Sequence, residues 1–178
     1  MIHSVTLHKR LVPTALTHVQ TISPLTIIFD LSGVLFKKHI STPHMLNGLH
    51  AHSLTPVNPL ASFSLLSDCA RKGHKLFSVT NLSSSMIDFL KETPQAKKLF
   101  SYFDDIICAD AIGIAKPDPR IMRHLLIKHA LEARSCIFID DQPINLQAAT
   151  QVGISKTILC TDFNFVGIRE QLEKYGAL

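Results

Sequence analysis

The apolar residues of this chain fall in short unbroken runs, separated by stretches in which they recur every three or four positions. The first run, Thr26-Ile27-Ile28-Phe29, stops at Asp30 and leads into Leu31-Ser32-Gly33-Val34-Leu35. Runs rich in β-branched residues without a polar break predict strands buried on both faces. Gly33 gives the backbone freedom for a tight turn just after the strand. Comparable runs predict strands over 75–79, 105–109, 136–139 and 157–160.

Between these runs the period is helical. Asn58-Pro59 offers a cap and a first-turn proline before Leu60, Phe63, Leu66, Cys69 and Ala70, and Gly73 ends that helix. Ser83 or Ser84 caps a helix through Met86, Ile87 and Leu90 that stops before Pro94, and 95–103 read as a second, broken helical piece. Asp118-Pro119 opens a helix carrying Ile121, Met122, Leu125 and Leu126. Pro143 opens another that Gly153 closes, and Phe165, Ile168 and Leu172 line the last. Residues 37–58, with Pro43, Gly48 and Pro56 and no sustained period, read as loop or short hairpin. Strands alternating with helices predict an α/β fold, a doubly wound Rossmann-like sheet of about five parallel strands with helices on both faces.

Length and composition sharpen this picture. At 178 residues with 46% apolar content, the chain suits one globular domain over 25–178, preceded by a loosely packed leader over 1–24. The leader lacks the apolar block of a secretory signal; it has no acid and carries Lys9 and Arg10, a weak likeness to a transit peptide. No run approaches the roughly 18 apolar residues of a membrane span. The four cysteines, Cys69, Cys108, Cys136 and Cys160, form no CxxC pair, and three lie in apolar strand-like runs. They read as reduced core residues of a cytoplasmic protein. No HExxH or paired Cys/His array points to zinc, and no nucleic-acid-binding motif is present. Up to residue 67 the only acid is Asp30, and seven of the ten histidines lie there, so the front half has a basic bias suited to an anionic substrate.

The chemistry lies in how the strands end. Asp30 closes the first, Thr80-Asn81 the second and Asp140-Asp141 the fourth, while Lys116 falls between the third strand and its helix. In an open α/β sheet all of these reach one edge, where ligands bind. Each piece alone reads equally as a turn, a solvated lysine or an acidic helix start. Together and in order they resemble the four motifs of the haloacid dehalogenase superfamily, whose members are mostly phosphohydrolases; the likeness spans about residues 26–160.

The resemblance implies specific roles. Asp30 is the nucleophile and forms an aspartyl-phosphate. Thr80 gives its hydroxyl and Asn81 its backbone N–H to the phosphoryl oxygens, with Leu31 and Ser32 in the loop that faces the substrate. Lys116 neutralises charge on the phosphoryl group and on Asp30. Asp30, Asp141 and the carbonyl of Ser32 hold Mg²⁺, with Asp140 supporting it directly or through water.

One position departs from the pattern. The superfamily's phosphatases carry a second aspartate two residues after the nucleophile, to protonate the leaving oxygen and activate water; here it is Ser32. Losing such a group costs on the order of 10²–10⁴ in rate. Three readings follow: a phosphohydrolase that is slow or uses an activated leaving group, a dehalogenase-type hydrolase, or a degenerate member that binds a phosphorylated ligand or a protein partner. The acidic pair and the short stretch between Lys37 and Pro59, too short for a helical cap, count against the dehalogenase. The other filled positions favour the first. A missing or minimal cap leaves the edge open to a large phosphorylated substrate, with His39, His44, His50 and His52 near it if the flap folds over.

Overall fold

In the computed structural model, residues 24–39 and 53–178 are described. Residues 1–23 of the leader and the flap histidines His44, His50 and His52 lie outside the described residues, and of His39 only the backbone is described.

The sheet is built around β1 (Thr26–Phe29), every residue of which is buried. Next comes β2 (Phe36–His39), which pairs antiparallel with β3 (Ser53–Pro56); the flap residues between them lie outside the described residues. After β3 come α1 (Pro59–Arg71), β4 (Lys75–Thr80), α2 (Ser84–Lys91), α3 (Pro94–Phe100) and β5 (Asp105–Cys108). The chain continues through α4 (Ala109–Ile112), α5 (Pro119–Lys128), β6 (Cys136–Asp140), α6 (Pro143–Thr150), β7 (Lys156–Leu159) and α7 (Phe165–Lys174). The order across the main sheet is β5-β4-β1-β6-β7, with every pairing parallel. The chain first works outward on one side of β1 and then returns to the other, so the β1/β6 boundary is the topological switch point where ligands lodge in such sheets.

Alternation along β1 divides the core. Ile27 and Phe29 face a layer that includes Leu65, Leu66 and Cys69 of α1, Leu90 of α2, Leu99 of α3 and Ile168 and Leu172 of α7. Ile28 faces Ile121, Met122 and Leu125 of α5 and Ala149 of α6. Both faces are covered, as the unbroken apolar runs require. The start signals work as read: Asn58 accepts from the Ala61 N–H, Ser83 from Met86 and Asp118 from Arg120. Several boundaries differ from the sequence reading: β4 and β6 each run one residue further, to Thr80 and Asp140, and β7 starts and ends one residue earlier. β5 stops at Cys108, because Ala109 begins the short α4 that Gly113 ends at φ 67°. The piece after Pro94 is an unbroken α3, capped by the Thr93 hydroxyl. Among the described residues no helix is long and apolar enough to cross a membrane.

Candidate active site

The strand ends meet as their sequence order implies. The register sets Phe29 of β1 opposite Ile139 of β6 and Ser78 of β4, so Asp30, Asp140 and Thr80 all emerge at the carboxyl edge. Asp30 is buried, and its Oδ1 accepts from the Leu31 N–H at 2.7 Å. The Lys116 ammonium also reaches Asp30 Oδ1, at 2.8 Å, and Asp140 Oδ2 at 2.6 Å, with all three side chains almost wholly out of water. Burial chiefly, aided by the nearby charge of Asp140, pushes the Asp30 carboxyl up to about 6, against the pull of Lys116 and the Leu31 N–H.

Both carboxylate oxygens of Asp140 are met by protein donors. Its Oδ1 accepts from the Gln142 N–H at 2.8 Å and from Asn145 Nδ2 at 2.9 Å, while Lys116 occupies Oδ2. It anchors the lysine and sits at the start of α6, where the helix dipole favours an anion. Asp141 is different. Its Oδ1 is buried with no hydrogen-bond partner among the described residues, and burial followed by the Asp140 charge raises its carboxyl above the ordinary range. An orphaned carboxylate oxygen in a buried place is costly unless something cationic meets it.

Gly33 makes room for that carboxylate. Its φ is +94°, and a Cβ there would lie 2.3 Å from Asp141 Oδ2. Oxygens of Asp30, Asp140 and Asp141 all lie within 4.8 Å of one another. Three carboxylates against one ammonium leave a negative excess at neutral pH that a divalent cation offsets, and hard oxygen donors suit Mg²⁺.

Thr80 is buried and is not among the residues that line the cleft at this edge; its Oγ1 accepts from the Leu82 N–H at 3.2 Å. Asn81 does something the sequence did not suggest. Its Nδ2 donates to the Lys116 carbonyl at 2.9 Å and its Oδ1 accepts from the Lys116 N–H at 2.8 Å. Ser32 and Gly33 line this cleft, of about 460 Å³, together with Asp30, Asn81, Lys116 and Asp141. Every described site residue expected from the sequence is therefore at one edge, but Leu31 gives its N–H to Asp30 rather than holding it open. Asn145, Leu82, Phe163 and Lys37 also line the cleft and were not anticipated as site residues. Asn145 could have been found from its place in the first turn after the acidic pair; nothing in the sequence marks Phe163.

This edge sets a buried acid–lysine–acid bridge beside an unsatisfied carboxylate on a doubly wound sheet. The chain belongs to the haloacid dehalogenase-like hydrolases, whose family pattern matches residues 49–153, well over half of it. The matched stretch begins after Asp30. The chain is 32% identical over 94 residues to a phosphoglycolate phosphatase of Aliivibrio fischeri, covering 53% of this chain and 40% of that protein. It is 30% identical over 83 residues to a flavin mononucleotide hydrolase of Arabidopsis thaliana, covering 43% and 34%. The chain thus spans less than half the length of these curated relatives. Among solved structures, a haloacid dehalogenase family enzyme of Bacteroides thetaiotaomicron, in complex with magnesium and inorganic phosphate, superposes with a TM-score of 0.67. It is 16% identical, over 81% of this chain and 99% of that one, and shares the fold.

Proposed function

We propose that the protein is a Mg²⁺-dependent phosphohydrolase that works through an aspartyl-phosphate on Asp30. The observation that carries this reading is the buried bridge Asp30–Lys116–Asp140 beside the unpartnered oxygen of Asp141. Asp30, Asp141 and the Ser32 carbonyl would hold the cation, with Asp140 behind them, and the cation would screen the repulsion between a carboxylate and a phosphate dianion. A cation bound there would also favour the ionised form of Asp30, against the burial that disfavours it.

The remaining work falls to the chain. The Asp30 carboxylate attacks phosphorus, and the bond to the leaving oxygen breaks with its electron pair on that oxygen. Lys116, fixed between two carboxylates, neutralises charge on the transferring group, and the Thr80 hydroxyl donates to one of its oxygens. Water then cleaves the aspartyl-phosphate and restores the carboxylate. Ser32 is too weak an acid to drive either proton transfer, so turnover is slow or needs a leaving group that departs as a stable anion.

Ser32 also motivates a second reading, a phosphate-binding protein without turnover. Hydrolysis of p-nitrophenyl phosphate with and without Mg²⁺ separates the two, because its leaving group needs little protonation. Mg²⁺-dependent release supports the enzyme. Stabilisation by Mg²⁺ and phosphate with no release supports the binding protein.

A further inference from the structure

Building on the hydrolase reading, we propose that the substrate is an aryl phosphate, the monoester of a phenol-like hydroxyl, with its ring seated between Phe163 and Leu82. The cleft's volume of about 460 Å³ lies in the range of small-molecule sites, roughly 300–1,000 Å³, and exceeds what one phosphoryl group fills. Polar and charged residues make up most of its lining, and two apolar side chains, Leu82 and Phe163, join them. Leu82 comes from the turn after β4 and Phe163 from the turn after β7, on opposite flanks of β1 in the strand order.

Phe163 is held there against local preference. Asp162 and Phe163 are consecutive non-glycine residues with φ of 50° and 55°. Asp tolerates the left-handed region, but for a bulky residue such as Phe it is uncommon and persists only where the surroundings impose it. The turn is fixed by the Asn164 N–H on the Thr161 carbonyl and the Phe165 N–H on the Phe163 carbonyl, both 2.9 Å, while buried Phe165 pins the start of α7. The result is a half-buried aromatic side chain that packs against the core and also lines the cleft.

An independent observation points to the same leaving group. Among the described residues, the ionisable side chains lining the cleft are Asp30, Asp141, Lys116 and Lys37. The first is the nucleophile, the second is assigned to the cation, and Lys116 is bound to two carboxylates. No carboxylic acid is left to protonate a departing oxygen, so the leaving group must carry its own charge. An aryloxide spreads that charge over its ring, and the exposed Lys37 on β2 adds a favourable field. In the step itself, an Asp30 oxygen bonds to phosphorus and the phosphorus–aryl oxygen bond breaks, its electron pair staying on the aryloxide. That oxygen is protonated from solvent after it leaves. Water then bonds to phosphorus, the Asp30–phosphorus bond breaks, and the water's proton passes to solvent.

The test compares p-nitrophenyl phosphate with acetyl phosphate at saturating Mg²⁺, since both leave as stable anions and only one carries a ring. The quantity read is the ratio of their kcat/KM values. Phe163→Ala should lower the ratio by about tenfold, in keeping with the worth of an aromatic contact and its buried area. Phe163→Tyr should preserve the ratio. Leu82→Ala should lower it in the same direction, and decides the matter if Phe163→Ala does not fold. Hydrolysis of both substrates with a ratio unmoved by either alanine overturns the ring seat and leaves the hydrolase reading standing. Hydrolysis of neither by the unaltered protein overturns both.

Discussion

Asn81 and Lys116 grip each other through a reciprocal pair of hydrogen bonds: the amide of Asn81 donates to the Lys116 carbonyl and accepts from the Lys116 N–H. The lysine's backbone is therefore fixed from the end of β4, while its ammonium spans Asp30 and Asp140. A loop residue with a long, flexible side chain becomes a rigid charge. Asn81→Ala removes both bonds and leaves two part-buried backbone groups without partners, each costing about 1–3 kcal/mol. The expected outcome is a lower melting temperature and a fall in kcat for p-nitrophenyl phosphate of about tenfold, in line with the misplacement penalty of positioned groups. Unchanged kcat in a folded Asn81→Ala protein would show that the lysine keeps its place without this clamp.

Gly33 and Asp141 set the next prediction. A Cβ at residue 33 would overlap the Asp141 carboxylate, and the φ of +94° disfavours any side chain. Gly33→Ala should therefore push Asp141 out of the acidic cluster. Mg²⁺ binding raises the melting temperature by mass action, and in Gly33→Ala that rise should be largely lost. An equal Mg²⁺-induced rise in both proteins removes Asp141 from the cation site.

Much of this was legible in the sequence. Strand ends at Asp30, Thr80 and Asp140, and Lys116 in a loop, specify one edge because parallel strands deliver their termini to the same side. The caps at Asn58, Ser83 and Asp118 were readable because each depends on a side chain bonding within one turn. What could not be read depends on geometry between distant segments. The amide of Asn81 meets Lys116 across 35 positions, and Phe163 reaches the cleft through a left-handed turn that its Asp-Phe sequence does not favour. Asp140 and Asp141 look alike as neighbours in sequence. Only packing shows that one has both oxygens met by protein donors and the other has a buried oxygen with no partner among the described residues.

Acid stability offers a check away from the site. Burial alone would raise Asp105, but hydrogen bonds from Lys128 and His129, then from the Ile106 N–H, outweigh it and hold the carboxyl below its ordinary 3.8. The partners lie 2.8, 2.8 and 2.9 Å away. A depressed folded value means stability that is complete above the unfolded value and lost as pH falls through the folded one. Asp105→Asn should cost stability at neutral pH and flatten the decline below about pH 4, where the carboxylate begins to protonate. Parallel stability–pH curves for the two proteins would contradict this coupling.

Ser32 gives a prediction of gained function. Ser32→Asp supplies a proton donor beside Asp30, the proposed nucleophile, and the fixed Lys116. The gain in rate should be larger for an alkyl phosphate, whose leaving oxygen needs the proton, than for p-nitrophenyl phosphate, and should approach ~10²-fold on the former. A further acid beside Asp30 also adds repulsion, so a modest loss of stability accompanies it. Equal gains on both substrates would mean that proton donation is not what residue 32 lacks.

The central claim is that Asp30 is the attacking group, and Asp30→Asn tests it most directly. The amide matches the carboxylate in size and still accepts from the Leu31 N–H and Lys116, so the fold should survive. The measurement is p-nitrophenyl phosphate hydrolysis at saturating Mg²⁺, with melting curves recorded alongside. The account predicts Mg²⁺-dependent turnover in the unaltered protein and none detectable in a folded Asp30→Asn. Turnover of similar size in both would falsify the aspartyl-phosphate mechanism for this protein.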